Sequence, residues 1–132
     1  MKKIVILITA VFCLLSALPV YAEFERPPIT DLAGYLTEEQ NEELTAQFNS
    51  IREKYSFDVA FVSEKSLSAV DAQAAADDIY DYNGYGYGEN YDGILFYIAD
   101  SERKYQFSTC GSGETIFNEN GLAYLEKKLC RF

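Results

Sequence analysis

Carboxylates are the side chains of this sequence best able to do chemistry, because it contains no histidine. Without histidine, the chain lacks the usual base for a nucleophile, the usual zinc ligand and a histidine phosphoryl carrier. Asp31, Asp92 and Glu114 each stand in a predicted loop beside a predicted helix or strand. Carboxylate oxygens suit hard cations such as calcium. The residue types therefore favour binding of a cation.

Two other motifs offer weaker chemistry. Gly111-Ser112-Gly113 is not a nucleotide-binding phosphate loop, because no lysine follows it in a GK[ST] sequence. Ordinary turn formation at a strand end is the alternative. Cys110 has no histidine or basic neighbour in sequence to activate its thiol, which favours a structural or disulfide role. The sequence does not show whether Cys110 and Cys130 lie within bonding distance.

The segment from Asp81 to Asp92 half matches the loop of a calcium-binding helix–loop–helix motif. The matching positions one, three, six and twelve are Asp81, Asn83, Gly86 and Asp92. Tyr85 at position five does not fit, and an apolar strand follows where the motif requires a helix. Alternatively, Asn83-Gly84 ends a helix and Gly93 begins a strand. Under this alternative, Asp92 is the residue of this segment that we expect to bind a ligand.

Residues 1–22 have the pattern of a secretory signal peptide. Lys2 and Lys3 precede an apolar run from Ile4 to Leu18, and cleavage is expected after Ala22. A transmembrane helix is the alternative, but the run is shorter than the roughly 20 residues that a bilayer requires. We therefore expect a secreted, extracytoplasmic protein with no membrane span in its mature chain.

Cleavage would leave a strongly acidic chain. The sequence has 11 basic and 21 acidic residues, so loss of Lys2 and Lys3 gives 9 − 21 = −12. This charge disfavours nucleic acid and anionic membrane surfaces as partners. It suits calcium, although acidity that simply keeps a secreted protein in solution explains it as well.

The remaining 132 − 22 = 110 residues suit one domain. Residues 23–30 contain Pro27-Pro28 and predict a linker. Thr37 and Gln40 form a capping box that begins a helix. Periodicity predicts helices at 38–55, between Ser68 and Gly84, and at 121–130, with strands at 57–62, 94–99 and 104–109. This order predicts an α/β fold, a three-layer α/β/α sandwich with a small mixed sheet, which a short strand near Ile29 or Gly34 would complete.

Several short motifs resemble the TPM domain in their order and spacing. They are Ile29-Thr30-Asp31, Tyr85-Gly86, Asp92-Gly93-Ile94-Leu95, Arg103 and Gly111-Ser112-Gly113-Glu114. The resemblance covers about residues 27–128. It implies an α/β/α sandwich in a secreted or membrane-attached protein, and some members have been linked to calcium binding or acid phosphatase activity. The family includes a thylakoid-lumen acid phosphatase and a photosystem repair factor.

Two departures from the family pattern accompany this resemblance. Tyr91 stands where many relatives place a polar or acidic residue, which weakens a metal site there. Relatives also continue through another helix beyond the position of Phe132. Residues 31–132 are therefore expected to form a TPM-like domain without that helix.

The first functional hypothesis is a ligand site at one rim of the sheet. Asp31, Asp92 and Glu114 would hold calcium, and Arg103, Gly111 and Gly113 would hold a phosphate ester. Three loops must converge on one rim for this site to form. The alternative is structural: Asp31 caps a turn, Asp92 belongs to an ordinary loop and Arg103 is a solvated hairpin residue.

The second hypothesis is a binding module. Six of the eleven tyrosines lie between Tyr80 and Tyr97, and they suit a contact surface for a protein or glycan partner in the cell envelope, with Tyr85 and Tyr87 as contact residues. Alternatively, several are half-buried residues of the sheet. Because no nucleophile or base is evident, the sequence favours a calcium- or partner-binding role in envelope assembly or repair. A metal-dependent acid phosphatase is the alternative.

Overall fold

The computed structural model describes residues 26–129, and within them the chain forms a four-stranded sheet and four helices. The elements are β1 (Ile29–Asp31), α1 (Glu38–Tyr55), β2 (Asp58–Glu64), α2 (Ala72–Asn83), β3 (Gly93–Ala99), β4 (Lys104–Cys110), α3 (Ser112–Ile116) and α4 (Glu119–Leu129). The strand order is β1-β2-β3-β4, with β1, β2 and β3 parallel and β4 antiparallel to β3. The fold is α/β and consistent with the predicted sandwich.

The parallel strands give the sheet two distinct ends. At one end, which we call the loop end, β2 and β3 begin and β4 stops, since Gly93 pairs with both Asp58 and Cys110. At the other, the turn end, β1, β2 and β3 stop and β4 begins. A strand of seven residues rises by about 3.3 Å per residue, so the two ends lie roughly 20 Å apart.

Both long helices begin and end where the sequence indicates. The Thr37 hydroxyl accepts from the Gln40 N–H at 3.2 Å, and the Gln40 side chain accepts from the Thr37 N–H at 2.9 Å, which is the predicted capping box. α2 begins after Asp71, whose carboxylate accepts from the Ala74 N–H, and ends at Gly84 in the left-handed conformation. α1 starts at the turn end, after β1, and runs back to the loop end, where α2 also ends.

The core lies between α2 and one face of the sheet. It joins Ala72, Ala75, Ala76 and Tyr80 of the helix to Ala60, Val62, Leu95 and Tyr97 of the strands. Alanines allow the helix to approach the sheet closely, and the Ser108 hydroxyl of β4 donates to Asp77 of α2 at 2.6 Å. The buried Tyr97 donates its hydroxyl to Glu64 at 2.7 Å, so its polar end is satisfied.

The opposite face of the sheet carries an aromatic cluster that is less deeply buried. Phe96 stacks on Phe107 at 4.8 Å and contacts Phe61 and Tyr105 at 5.9 and 6.0 Å between ring centroids. Tyr105 is 44% exposed. α1 lies against β2 and β1, but it has no fully buried residue. Most of the dense packing is therefore on the α2 side.

Several boundaries differ from the sequence predictions, the strands by one or two residues and three other elements as follows. The predicted linker at 23–30 is too long, because Ile29 and Thr30 belong to β1, the short strand expected near this position. Gly111 to Gly113 was predicted only to end a strand, yet Ser112 begins the short helix α3. The last helix begins earlier than predicted because Asn118 caps it, accepting from the N–H groups of Asn120 and Gly121.

Some predictions fall outside the described residues. They are the signal peptide at residues 1–22, residues 23–25 of the linker and the pairing of Cys110 with Cys130. Across residues 26–129, none of the helices combines the length and the apolar character needed to cross a bilayer.

Candidate functional site

The loop end is organised around the segment from Gly84 to Asp92. Tyr87 and Asp92 exchange two main-chain hydrogen bonds, each 3.0 Å long, which close the loop on itself. The buried Tyr80 of α2 donates its hydroxyl to the Tyr91 carbonyl at 2.7 Å. Burial raises the Tyr80 pKa above its ordinary value, with negative groups such as Asp58 adding to the effect, so this hydroxyl stays a donor. The loop is thus fixed from both sides.

Glycines allow the backbones at the loop end to touch. A Cβ on Gly86 would lie 2.5 Å from the Tyr91 carbonyl oxygen, and a Cβ on Gly113 would overlap the Gly93 carbonyl. Gly111, at φ 57°, packs against the Asp92 carboxylate, and a Cβ on Gly111 would lie 2.6 Å from the Asn90 carbonyl oxygen. The predicted substrate-binding residues Gly111 and Gly113 therefore serve close backbone packing.

Asp92 lies at the centre of this packing. Its Oδ1 accepts a hydrogen bond from the Ser112 N–H at 2.6 Å, which ties the loop to the start of α3. Among residues 26–129 its other carboxylate oxygen accepts no hydrogen bond. Tyr91 beside it adopts φ 54°, a left-handed conformation that costs energy for a residue with a side chain. Asp92 therefore retains acceptor capacity for a ligand.

An ion pair connects α1 to the same loop. Arg52 contacts the nearly buried Asp58, whose second oxygen accepts from the Gly86 N–H at 3.0 Å. The Arg52 guanidinium also lies over the Tyr87 ring, 5.2 Å from its centroid. A groove of about 470 Å³ runs beside these residues, with Pro28 and Phe48 among its walls. Asp58 therefore links a helix, a strand and the loop.

Asp31 is at the turn end and has a different role. Its Oδ1 accepts from the N–H groups of Gly34 and Tyr35 at 3.1 Å and from the Ser63 hydroxyl, and its Oδ2 accepts from the Leu36 N–H at 2.7 Å. Partial burial raises the Asp31 pKa, but these hydrogen bonds together outweigh burial and hold it below its usual value. Asp31 caps the turn before α1, as the structural alternative predicted.

Arg103 is also at the turn end, in the turn between β3 and β4 at φ 52°. Nearby, the Tyr35 hydroxyl donates to Asp100 at 2.6 Å, and this hydrogen bond raises the Tyr35 pKa. Arg103 is therefore one strand length away from Gly111 and Gly113, at the far end of β4. The predicted phosphate-binding set does not come together.

The predicted metal site is divided in the same way. Asp31 is at the turn end, whereas Asp92 and Glu114 are at the loop end, roughly 20 Å away. The expectation that three loops meet on one rim was wrong, because parallel strands put the end of β1 opposite the start of β3. Within the described part of the chain, no group of three Asp, Glu, Cys or His side chains is placed to hold a metal ion. These three carboxylates do not fit one calcium ion.

The tyrosines of the loop end separate into buried and exposed groups. Tyr85 is only 8% exposed and packs against Tyr80, with 6.3 Å between ring centroids, so it is a core residue and the predicted contact role was wrong. Tyr87 is half-buried under Arg52. Exposed tyrosines at this end are Tyr55 at 63%, Tyr82 at 82% and Tyr91 at 56%.

Sequence reasoning missed Asp58 and Arg52. A signal was present for Asp58, since a carboxylate at the start of an otherwise apolar buried strand requires a partner. No local signal identified Arg52 as that partner, because a basic residue in the last turn of a helix is ordinary.

Comparison with solved structures identifies the same fold elsewhere. The solution structure of the N-terminal domain of a protein from P. gingivalis superposes with a TM-score of 0.68, at 21% sequence identity. The match covers 80% of this chain and 68% of that one. At this identity the likeness concerns the fold alone. No curated protein matches the chain.

Comparison with protein families gives a match to the TPM domain over residues 29–129. This range includes every strand and helix described above, together with the loop end and the turn end. The chain belongs to the TPM domain family.

Proposed function

We propose that this protein is an extracytoplasmic binding module that recognises a cell-envelope protein through the tyrosines of its loop end. The observation that carries this proposal is the contrast between a fixed loop and exposed aromatic rings. Tyr55, Tyr82 and Tyr91 are more than half exposed at the same end of the sheet. Exposed tyrosines provide large contact area at low cost in side-chain entropy.

The loop beneath these rings supports the proposal because it is pre-organised. The Tyr80 hydroxyl, the paired main chains of Tyr87 and Asp92, and the Asp58 contact with Gly86 all hold it in one conformation. A loop that is already ordered loses less conformational entropy when a partner binds. The strained φ of Tyr91 is consistent with a residue retained for its exposed side chain.

The test is capture of envelope proteins by the immobilised, purified exported protein. We expect one envelope protein to be enriched, and Tyr82→Ala together with Tyr91→Ala to abolish its enrichment. Tyr35→Ala is the matched control, because Tyr35 is 48% exposed but lies at the turn end. Enrichment that survives the double substitution would exclude the loop end as the contact surface.

Export itself needs a separate measurement. The expected signal peptide predicts a mature chain that begins at Glu23, after cleavage following Ala22. Intact-mass spectrometry of the protein recovered from outside the cytoplasm should give this N-terminus. An uncleaved chain retained inside the cell would contradict an extracytoplasmic role.

Calcium binding is a second candidate, now restricted to the loop end, where Asp92 and Glu114 lie. The second carboxylate oxygen of Asp92 accepts no hydrogen bond within residues 26–129, so it is available as one hard ligand. Calcium takes six to eight oxygens, and the others would come from water or from a partner. This arrangement supports a weak site at most.

Thermal unfolding with and without calcium tests this candidate. At about 100 times the dissociation constant, a native-state ligand stabilises by about 2.7 kcal/mol. We expect calcium to raise the melting temperature of the wild type and of Asp78→Asn, an exposed carboxylate outside the loop end, but not of Asp92→Asn. An equal shift in all three proteins would place the ion elsewhere.

The acid phosphatase alternative has less support than either binding role. Arg103 is separated from Gly111 and Gly113 by the length of β4, and Asp31 from Asp92 by the length of the sheet. Hydrolysis of p-nitrophenyl phosphate that Asp92→Asn abolishes would restore this alternative.

A further inference from the structure

Within residues 26–129, the outer side of β4 is a free edge of the sheet. The Asp92 carbonyl and the Asp100 N–H both bond to β2, at 3.1 and 3.0 Å. Backbone groups alternate sides along a strand, so the odd-numbered residues of β3 point to β4. Because Ala99 pairs with Lys104 and Gly93 with Cys110, the even-numbered residues of β4 point back to β3. The main-chain groups of Phe107 and Thr109 therefore point outward.

This edge has only part of the usual protection against pairing. Natural edge strands are shortened, bulged, covered, interrupted by proline or given charged side chains, especially lysine. Lys104 at the start of β4 is such a charge, and the six residues after it carry none. β4 is seven residues long, contains no proline and keeps continuous register with β3. No other strand within residues 26–129 pairs with its outer side. The Gln106 side chain reaches the Phe107 carbonyl at 3.4 Å, which is a long and weak contact.

Two grooves flank the start of this edge, one on each face of the sheet. The first, of about 550 Å³, has Tyr35, Phe96 and Ile98 in its walls. The second, of about 400 Å³, is walled by Asp71, Gln73 and Gln106. Arg103, Lys104 and Tyr105 line both grooves. Side chains of an added strand would alternate between these two grooves.

The charged side chains near this edge indicate which charge a bound segment would carry. Arg103 and Lys104 are exposed, and neither forms an ion pair within the described part of the chain. The carboxylates nearby are engaged, since Asp100 accepts from the Tyr35 hydroxyl and Glu102 accepts from the Leu67 N–H. Two adjacent cations in a protein of net charge −10 complement a carboxylate.

We propose that the outer edge of β4 binds an extended peptide segment of a partner protein as a fifth strand. The segment directs its side chains alternately into the two grooves, and its carboxylate lies beside Arg103 and Lys104. Main-chain hydrogen bonds to Phe107 and Thr109 supply affinity, and the two grooves supply specificity. This surface is distinct from the tyrosines of the loop end, so the two proposals are tested independently.

The probe is a blocked, fluorescein-labelled heptapeptide, Asp-Val-Thr-Val-Thr-Val-Thr, and the measurement is fluorescence anisotropy with the purified exported protein. We expect saturable binding that weakens as salt increases. A peptide with proline in place of the central valine lacks a main-chain donor and should not bind. A peptide with lysine in place of aspartate should bind more weakly.

Protein variants locate the site. Arg103→Ala combined with Lys104→Ala should raise the Kd about three- to tenfold, the range expected for two exposed ion pairs, and flatten the salt dependence. Lys127→Ala is the matched control, since Lys127 is an exposed cation of α4. Thr109→Pro removes an outward N–H and should abolish binding, while circular dichroism and thermal unfolding check that the variant folds.

Three results would overturn the proposal. One is the absence of binding up to about 1 mM peptide. Another is equal affinity for the proline-containing peptide, which would show that the main chain is not used. The third is a dimer in sedimentation that Thr109→Pro dissociates, because the edge would then be occupied by a second copy of the chain.

Discussion

The two ends of the sheet use their aspartates in opposite ways. At the turn end, Asp31 accepts four hydrogen bonds from its own turn and from Ser63. At the loop end, Asp92 accepts one from Ser112 and keeps an oxygen that accepts no hydrogen bond from the described chain. Both aspartates look alike in sequence, since each stands beside a short strand or loop. What separates a structural carboxylate from a candidate ligand is how many of its acceptor positions the fold already uses.

The glycines of the two ends differ as well. A Cβ on Gly34 at the turn end would meet nothing within 4 Å, although its φ of 79° still favours glycine. At the loop end, Gly86, Gly111 and Gly113 have other atoms in contact where a Cβ would be, whereas Gly84 and Gly88 do not. The loop end is therefore the more tightly built region, and side-chain changes there should disturb the fold more.

The largest effect that this comparison predicts is for Gly113→Ala. The new methyl group overlaps the Gly93 carbonyl, so the start of α3 must move away from β3. We expect a loss of about 3 kcal/mol, measured by urea unfolding. Gly88→Ala is the control, because its Cβ meets open space and only its φ of 68° opposes it, at about 1 kcal/mol. Equal losses would mean that the loop end is not tightly packed.

Arg52→Ala should be the next most harmful change. It leaves the nearly buried Asp58 without its cation, and the Arg52 side chain is 35% exposed, so water compensates part of the loss. We expect about 2 kcal/mol, or a fall of roughly 8 to 16 °C in melting temperature. Lys54→Ala, two residues along the same helix and exposed, should change stability by less than about 0.5 kcal/mol. A harmless Arg52→Ala would show that Asp58 does not need α1.

The hydrogen bonds of Asp31 predict a dependence on pH at the turn end. Its folded pKa lies below the unfolded value of about 3.9, so ionised Asp31 stabilises the fold above about pH 4. This contribution is lost as the pH falls through the folded pKa. Asp31→Asn should therefore be about 1 kcal/mol less stable near neutral pH and approach the wild type near about pH 2. A constant difference between the two proteins in urea unfolding would exclude this cause.

The smallest effect is expected for Tyr91→Gly. Glycine adopts φ 54° without strain, but it also gains entropy in the unfolded chain, so stability should change by less than about 1 kcal/mol. Partner capture should nevertheless fall, because the exposed ring is gone. This variant separates binding from folding more cleanly than any buried substitution. Unchanged capture together with unchanged stability would remove Tyr91 from the contact surface.

Local signals in the sequence predicted most of the fold. The capping box at Thr37 and the stop at Gly84 fixed two helix ends, because side-chain caps act within a few residues. The apolar run to Ala99 and the alternation from Lys104 predicted adjacent antiparallel strands. The short helix α3 escaped prediction because its position depends on Gly113 packing against β3, a contact that only the folded chain makes.

The site was less predictable because it depends on strand direction. Motif order along the chain does not show which end of the sheet each loop occupies. Asp31 follows a parallel strand and Asp92 precedes one, so the two cannot share a rim. Tyr85 and Tyr91 lie in the same loop, yet one packs against Tyr80 and the other faces solvent. Six positions of separation are enough to reverse the role of a residue when the backbone turns.

The separation of the two ends by the length of the parallel strands also affects how substitutions combine. Residues roughly 20 Å apart that share no partner are expected to contribute independently to stability. A change at Asp31 and a change at Asp92 should therefore be additive in free energy. Each end can then accumulate sequence changes without compensation at the other.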